Sequence, residues 1–332
     1  MKVLVTGAGG FLGFAIARML VERGDSVASI QRNHYDALAA LGVEQHQGTL
    51  ANEDAVMRAA AGCDAIIHVA AKAGVWGNYQ DYFVSNVEGT RNVLKACQHL
   101  GISRLVYTST PSVIHAGGDV AGADESLPYP DHFETAYPET KAMAEREVLA
   151  ANSELLSTVA LRPHLIWGPG DNHLFPRVID RARKGRLRLV GGGESLVDTV
   201  YIDNAAHAHL LALDRLRPDA ACAGKAYFIT QGEPVPQREM INRMLAAAQL
   251  PPCTRTISPG VAYFAGAVLE TLYKLVGAEN EPPMTRFVAK QLATAHWYNI
   301  DAARRDLGYA PLVSFDEGME RLASWYRTQQ TV

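Results

Sequence analysis

Apolar positions along this chain alternate between two periods. Val3, Leu4 and Val5 form an unbroken apolar run, the pattern of a strand buried on both faces. Behind it, Leu12, Ile16, Met19 and Leu20 recur at three- and four-residue steps, the period of one helix face. The same alternation continues. Val27–Ile30, Val43–Gln47, Ala65–Val69, Leu105–Thr108 and Thr158–Leu161 read as strands. Ala51–Ala61, Tyr82–Leu100 and Glu139–Ala151 read as the helices between them. Strand–helix alternation of this kind predicts a parallel sheet with helices on both faces.

After Pro163 the pattern changes. Gly168-Pro169-Gly170 and Gly191-Gly192-Gly193 mark sharp turns, and helices start near Pro236, Pro259 and Pro283. The expectation is a first domain over residues 1–165, rejoined by 199–216 through Tyr201-Ile202-Asp203-Asn204 and the helix after it. Residues 166–198 and 217–332 then form a smaller, mostly helical C-terminal lobe that covers a ligand cleft. Ile257–Val276 is the most apolar helical stretch, but Glu270 and Lys274 interrupt it and it falls short of a transmembrane span. It reads first as a core helix of the second lobe. The other reading is an apolar surface for a greasy substrate, a membrane or a partner.

Composition narrows the function classes. The 332 residues are 48% hydrophobic and 20% charged, enough to bury a core. A net charge of −4, from 31 basic and 35 acidic residues, gives no basic face for nucleic acid. The densest basic cluster, Arg181 to Arg188, reads as a solvated helix end and turn. Cys63, Cys97, Cys222 and Cys253 show no metal-ligand spacing and no CxxC pair, which suits a reducing cytoplasm and predicts no metal site. No signal peptide precedes the first strand, so a cytoplasmic location is expected.

The chemistry begins in the turn after the first strand. Glycines stand at Gly7, Gly10 and Gly13, between that strand and the helix opening at Phe11 and Leu12. Gly7 permits a tight turn, Gly10 lets an anion approach the backbone, and Gly13 lets helix and strand pack closely. The free N–H groups of the helix start suit a pyrophosphate. Strand, glycine turn and helix in this order are the opening unit of a Rossmann fold. The second strand ends Ser29-Ile30-Gln31-Arg32-Asn33, with no carboxylate for a ribose 2′-hydroxyl. Arg32 is placed for a 2′-phosphate, so NADP (NADPH) is the expected coenzyme.

Tyr137 and Lys141 stand four residues apart, one turn on the same helix face. Of the 13 tyrosines, only Tyr137 has a lysine at that position. An ammonium beside a phenol favours phenolate and lowers a pKa of about 10 toward a useful range. The fifth strand ends Tyr107-Thr108-Ser109-Thr110-Pro111-Ser112, at the carboxyl edge where the cleft of such a sheet lies, so Ser109 or Thr110 can hold a substrate carbonyl.

These residues resemble the extended short-chain dehydrogenases/reductases. The likeness rests on Thr6-Gly7-Ala8-Gly9-Gly10-Phe11-Leu12-Gly13, on Tyr137 with Lys141, and on Ser109-Thr110. Asp301-Ala302-Ala303-Arg304-Arg305-Asp306-Leu307-Gly308-Tyr309-Ala310-Pro311 is similar to the C-terminal signature of the 3β-hydroxysteroid dehydrogenase-like branch. The resemblance implies that Ala70, in His68-Val69-Ala70-Ala71, and Pro163, after Arg162, lie beside the cofactor. It implies catalytic roles for Tyr137, Lys141 and Thr110, with Ser109 the near alternative, and a second role for Lys141 in binding the nicotinamide ribose.

Lys72–Gly77, Tyr107–Val113, Leu165–Asp171 and Pro282–Phe287 narrow the likeness to bacterial β-keto acid reductases of long-chain olefin biosynthesis. That implies NADPH-dependent reduction of a long-chain 2-alkyl-3-oxoalkanoic acid to the 3-hydroxy acid. Arg177, His164 and Lys72 are the candidates for its carboxylate. Two departures stand out: Gly48-Thr49-Leu50 where the family often has Gly-Asp-Leu, and Val113-Ile114 in place of the Val-Tyr of sugar-nucleotide enzymes. A hydroxysteroid dehydrogenase, a nucleotide-sugar epimerase or dehydratase, and an NADP-sensing binding protein are the competing readings. The family also implies a homodimer through the helices after Asn78 and Tyr137, within a larger assembly of olefin-pathway enzymes; peripheral membrane contact is a separate expectation, from the apolar Ile257–Val276 stretch.

Overall fold

The computed structural model describes residues 1–278 and 280–330. Seven parallel strands form the central sheet: β1 (Lys2–Thr6), β2 (Ser26–Gln31), β3 (Glu44–Gln47), β4 (Ala65–His68), β5 (Arg104–Thr108), β6 (Ser157–Pro163) and β7 (Lys225–Ile229). Their order across the sheet is β3-β2-β1-β4-β5-β6-β7. The order reverses at β1, and in such sheets the crevice at that reversal is where a dinucleotide binds.

Side chains alternate through the sheet as a period of two requires. Val3 and Val5 of β1 enter one buried layer, with Ile67 and Val106. Leu4 enters the other, with Ile66 and Leu105. Both faces are covered. Helix α1 (Phe11–Glu22) and α5 (Ile202–Arg215) lie together, joined by Arg18 and Asp203 at 2.7 Å. On the other face lie α2 (Glu53–Ala60), α3 (Gly89–Leu100) and α4 (Ala136–Ala150).

Two expectations about the chain's division change. Lys225–Ile229, assigned from sequence to the second lobe, is the edge strand of the main sheet, paired to β6 from Lys225 opposite Val159 to Ile229 opposite Pro163. The physical reason is that α5 is a crossover helix, and a crossover helix delivers the chain back to the sheet. Val120–Ala123, expected in the first domain, joins a four-stranded sheet of the second lobe with Val235–Pro236, Leu196–Val197 and His296–Tyr298. The lobe is therefore not purely helical.

Ile257 belongs to a two-residue strand, and α6 runs over Pro259–Leu275, with Ser258 as its N-cap. Helix α7 (Arg286–Ala293) packs beside it. Helix α6 is not a core helix: only Ala262 and Gly266 are buried. Gly266 must be small, because a Cβ there would lie 2.6 Å from the Thr285 carbonyl carbon.

Gly7 adopts φ +71°, and a Cβ on it would sit 2.9 Å from the Ala70 Cα. A Cβ on Gly13 would run into the Gly7 carbonyl. Because both neighbours are backbone, neither can yield cheaply. Gly13→Ala is expected to destabilise the fold by about 1–3 kcal/mol and to displace the glycine turn. The check is a urea midpoint together with NADPH binding, and an unchanged value for both would contradict this packing.

Candidate active site

The glycine turn sits at the carboxyl edge of the sheet, with Gly10 as the N-cap of α1. The first-turn amides of a helix have no intrahelical acceptor, so those of Phe11, Leu12 and Gly13 are available to an anion. Thr6, just before the turn, accepts the N–H groups of Val69 and Ala70, each at 3.1 Å. Pro163, at the end of β6, is buried opposite Ile229. Arg32 is exposed just past β2. Gln31 occupies the end of that strand and leaves its buried Oε1 without a partner, so a ribose hydroxyl has an acceptor there. The cradle and the orphan acceptor fit a dinucleotide.

Sequence reasoning missed Tyr35. Its ring lies against Gly9, where any Cβ would collide with it. Gln45 clasps the loop: Tyr35 N–H donates to its Oε1 at 2.9 Å, and its Nε2 donates to the Tyr35 carbonyl at 3.0 Å. Thr49, at the departure from Gly-Asp-Leu, accepts the Ala51 N–H at 3.1 Å.

Tyr137 occupies the first turn of α4, one residue inside the helix even though Pro138 follows. A first-turn proline loses no hydrogen bond. Lys141 is buried one turn on. Its ammonium donates to the Thr108 carbonyl at 2.6 Å and lies 4.1 Å from the centre of the Tyr107 ring. Burial pulls its pKa down to about 7, against the opposing charge of Glu145. Glu145, one further turn along α4, is held by Arg162 at 2.5 Å and by the Tyr129 hydroxyl at 2.6 Å.

The expected lowering of the Tyr137 pKa is absent. Burial pushes it up to about 12, while a hydrogen bond with Thr110 acts the other way. The reason is directional, since the Lys141 ammonium is turned to Thr108 and Tyr107. Tyr137 is therefore a protonated phenol at neutral pH. Of the two candidate hydroxyls, Thr110 is the one beside Tyr137. Thr110 also donates to the Ser112 hydroxyl at 3.2 Å. Ser109 Oγ is buried without a partner, and its backbone N–H is tied to the Leu161 carbonyl at 2.6 Å.

A second missed residue is Asn86, in a π-helical turn over Val84–Glu88. It accepts the Lys72 N–H at 2.7 Å and donates to the Lys72 carbonyl and to Thr140 Oγ1, both at 3.0 Å. Thr90 donates to the Asn86 carbonyl at 2.6 Å, so it accepts from His68 Nε2 at 2.9 Å, and His68 Nδ1 accepts from Thr6 at 2.7 Å. Burial, with the Lys141 charge, pushes the His68 pKa down to about 3, which keeps that ring neutral. The available signal was Asn86 and Thr90, a polar i,i+4 pair in a helical stretch.

A cleft of about 1190 Å³, lined by Tyr82 and by Thr135 and Ala136 just ahead of Tyr137 in the chain, opens between the sheet domain and helices α6 and α7. Trp76, Tyr82, Tyr263, Tyr273 and Phe287 supply aromatic walls, and Lys72, Lys274 and Lys290 line it too. Of the three carboxylate candidates only Lys72 lines the cleft, with Asp81 at 2.7 Å. Arg177 pairs with Glu281 at 2.9 Å and His164 with Asp198 at 2.7 Å, away from it.

The sequence profile of the 3-beta hydroxysteroid dehydrogenase/isomerase family matches residues 4–251. The chain belongs to that family. It is an oxidoreductase of the short-chain dehydrogenase/reductase type, and the family's coenzymes are nicotinamide dinucleotides. It is 56% identical to a 2-alkyl-3-oxoalkanoate reductase of Stenotrophomonas maltophilia over 97% of this chain and 98% of that one. A Shewanella oneidensis protein of the same name is 52% identical, over 96% and 84%. A Mus musculus sterol-4-alpha-carboxylate 3-dehydrogenase (decarboxylating) is 34% identical, over 96% and 89%. Among solved structures, that of gox2253 covers 99% of this chain and 98% of its own, at TM-score 0.79 and 27% identity.

The Lys141 shift gives a stability signature. A lysine with a lowered folded pKa is charged in the unfolded chain and neutral in the folded one between the two values. Unfolding then takes up a proton, so stability rises with pH across that window. From pH 7 to 10.5, the wild type should gain stability relative to Lys141→Met, by up to about 1.4 kcal/mol per pH unit. Parallel stability curves for the two proteins would show that the buried amine does not titrate there.

Proposed function

We propose that this protein reduces the 3-keto group of 2-alkyl-3-oxoalkanoic acids with NADPH, giving 2-alkyl-3-hydroxyalkanoic acids for olefinic hydrocarbon biosynthesis. The observation that carries the reading is near-full-length identity of 56% to a reductase of that name. A protonated Tyr137, next in the chain to Ala136 of a cleft with aromatic walls, supports it.

The turn over Gly7, Gly10 and Gly13 and the amides of Phe11 and Leu12 would hold the pyrophosphate, with Ala70 and Pro163 flanking the coenzyme. Bound NADPH supplies the hydride that reduces the ketone carbon. Tyr137 and Thr110 hydrogen-bond the ketone oxygen and hold it more tightly as negative charge grows there. Tyr137 then transfers its phenolic proton to that oxygen. Lys141 anchors the carboxyl end of β5 against α4 and adds positive charge behind the site. Lys72 is placed to hold the substrate carboxylate.

The sterol-4-alpha-carboxylate dehydrogenase named above is a second guide. By its name, its substrate carries a carboxylate one carbon from the 3-oxygen, the same spacing as in a β-keto acid. A cleft that pairs a carbonyl site with a carboxylate site is common to both readings.

NADPH oxidation followed at its absorbance band separates them. Turnover is expected with 2-alkyl-3-oxoalkanoic acids; turnover with a 3-ketosterol or a sugar nucleotide and none with the keto acids would overturn the reading. Tyr137→Phe should lower kcat by about 10²–10⁴-fold, and full activity in that variant would remove the proton-transfer step. Arg32 serves the coenzyme 2′-phosphate in this reading. Arg32→Ala should raise KM for NADPH by about tenfold, the loss of one charge-assisted contact, and leave that for NADH nearly unchanged.

A further inference from the structure

We propose that the outward face of α6 docks on the surface of an anionic lipid bilayer. The face is defined by spacing and exposure. Val261, Phe264, Val268, Leu272 and Leu275 follow one another at three- and four-residue steps, so they share one side of the helix. All five are exposed, Phe264 to 69% and Leu275 to 78%, and Val276 continues the strip at 75%. Apolar side chains scattered singly on a surface need no explanation, but a continuous strip along one helix does.

Charge decides the occupant. The only carboxylate on α6, Glu270, is tied to Arg286 at 2.8 Å and is nearly buried. Beyond its N-terminal end, Thr256 and Ile257 pair with Leu189 and Val190, which brings Arg255 alongside Arg186 and Arg188. The last two belong to the basic cluster of the sequence. Among the described residues none of these three arginines has a carboxylate partner; Arg188 and Arg255 spend their donors on the carbonyls of Gly185 and Leu187.

An apolar strip with unpaired cations beyond its N-terminal end matches an interfacial helix on anionic lipid. It matches a second copy of this chain less well. In a pairing of α6 with itself those arginines would meet no carboxylate of the partner helix, since Glu270 is tied to Arg286 on the inner side. Spanning is excluded by length: α6 is roughly 25 Å long, below the ~30 Å of a hydrocarbon core. No helix among the described residues is long and apolar enough to cross a membrane.

The opposite side of the same helix, through Tyr263, Tyr273 and Lys274, lines the cleft. Trp76 closes the end of that wall by donating to the Ala278 carbonyl at 3.0 Å and packing edge-on to Tyr273. Helix α6 is thus a single-helix partition between the bilayer surface and the cleft, which gives a lipophilic ligand a short path between them.

The test is flotation of the full chain with vesicles of phosphatidylcholine alone and of phosphatidylcholine with one-third phosphatidylglycerol, alongside sedimentation of the lipid-free protein. Binding is expected on the anionic vesicles, reduced by salt and by Arg186→Glu with Arg255→Glu. Phe264→Ser with Leu275→Ser should weaken it by about tenfold or more. Both side chains are exposed, so the circular dichroism spectrum and Tm should not change. Failure to float on either vesicle, or equal flotation of the serine variant, would overturn the proposal. So would a lipid-free dimer that the serine variant dissociates, since the face would then belong to a second copy. Flotation is read without turnover, so its failure leaves the substrate reading standing, and the reverse holds too.

Discussion

One run of buried hydrogen bonds ties the glycine turn, the cleft and helix α4 together. Thr6 bonds His68, His68 bonds Thr90, Thr90 bonds the backbone of Asn86, and the Asn86 amide bonds both Lys72 and Thr140. Each of Thr6, His68, Asn86, Thr90 and Thr140 is buried. In such surroundings a missing partner costs about 1–3 kcal/mol, so the run tolerates no gap. It also requires a neutral His68, because a protonated ring could not accept from Thr6. Burial and the nearby Lys141 charge secure that neutrality. The π-helical turn at Val84–Glu88 has a local reason in this frame. One extra residue in the turn re-aims the Asn86 amide, and such insertions recur at functional sites.

Burial acts in opposite directions on the two titrating groups of the site. It raises Tyr137 and lowers Lys141, because in each case it disfavours the charged form. For a ketone reduction this is useful on the tyrosine side, since a donor must hold its proton until charge appears on the acceptor oxygen. On the lysine side it leaves an amine whose charge responds to what binds nearby. Glu145 favours the charged form from one turn away, and the Arg162 and Tyr129 contacts keep that carboxylate fixed. The stripe Tyr137, Lys141, Glu145 is thus an electrostatic sequence laid along one helix face.

Much of this architecture is legible in the amino-acid sequence. Strands β1, β2, β4, β5 and β6 stand out as apolar runs, β3 (Glu-Gln-His-Gln) hardly at all, and Gly7, Gly10 and Gly13 as a turn with a helix behind it. The Tyr137 and Lys141 pair follows from helical spacing alone. What escapes is whatever depends on a partner distant in sequence. Strand β7 reads only as Lys-Ala-Tyr-Phe-Ile, and its place is decided by the crossover through α5. Asn86 and Tyr35 are ordinary residues in sequence; their roles come from Lys72 and Thr140, and from Gly9. Ser109 and Thr110 cannot be separated by spacing, because the turn at Pro111 decides which hydroxyl meets Tyr137. Spacing also misjudges the sign of the Tyr137 shift. It places Lys141 on the same face but does not reveal that its ammonium is committed to the Thr108 carbonyl.

The proposed substrate poses a final physical question, how one cleft would accept both an anionic head and an apolar tail. Most of the cleft's charged groups are already paired: Lys72 with Asp81, Arg286 with Glu270, and Lys290 with Glu134. Paired charges lose little when water leaves, whereas an unpaired one held there would be costly. The aromatic walls can therefore be dehydrated by an apolar ligand while these three pairs stay closed, which leaves Lys274 as the cation that must keep its water. Under the proposed function, a carboxylate entering beside Lys72 would exchange with Asp81, which is exposed and can return to water. Discrimination then falls on the ligand. A ketone without the carboxylate leaves the Lys72–Asp81 pair closed, and a polar sugar would have to cover aromatic faces with hydroxyl groups. The arrangement favours a molecule that is anionic within two carbons of its carbonyl and apolar beyond it.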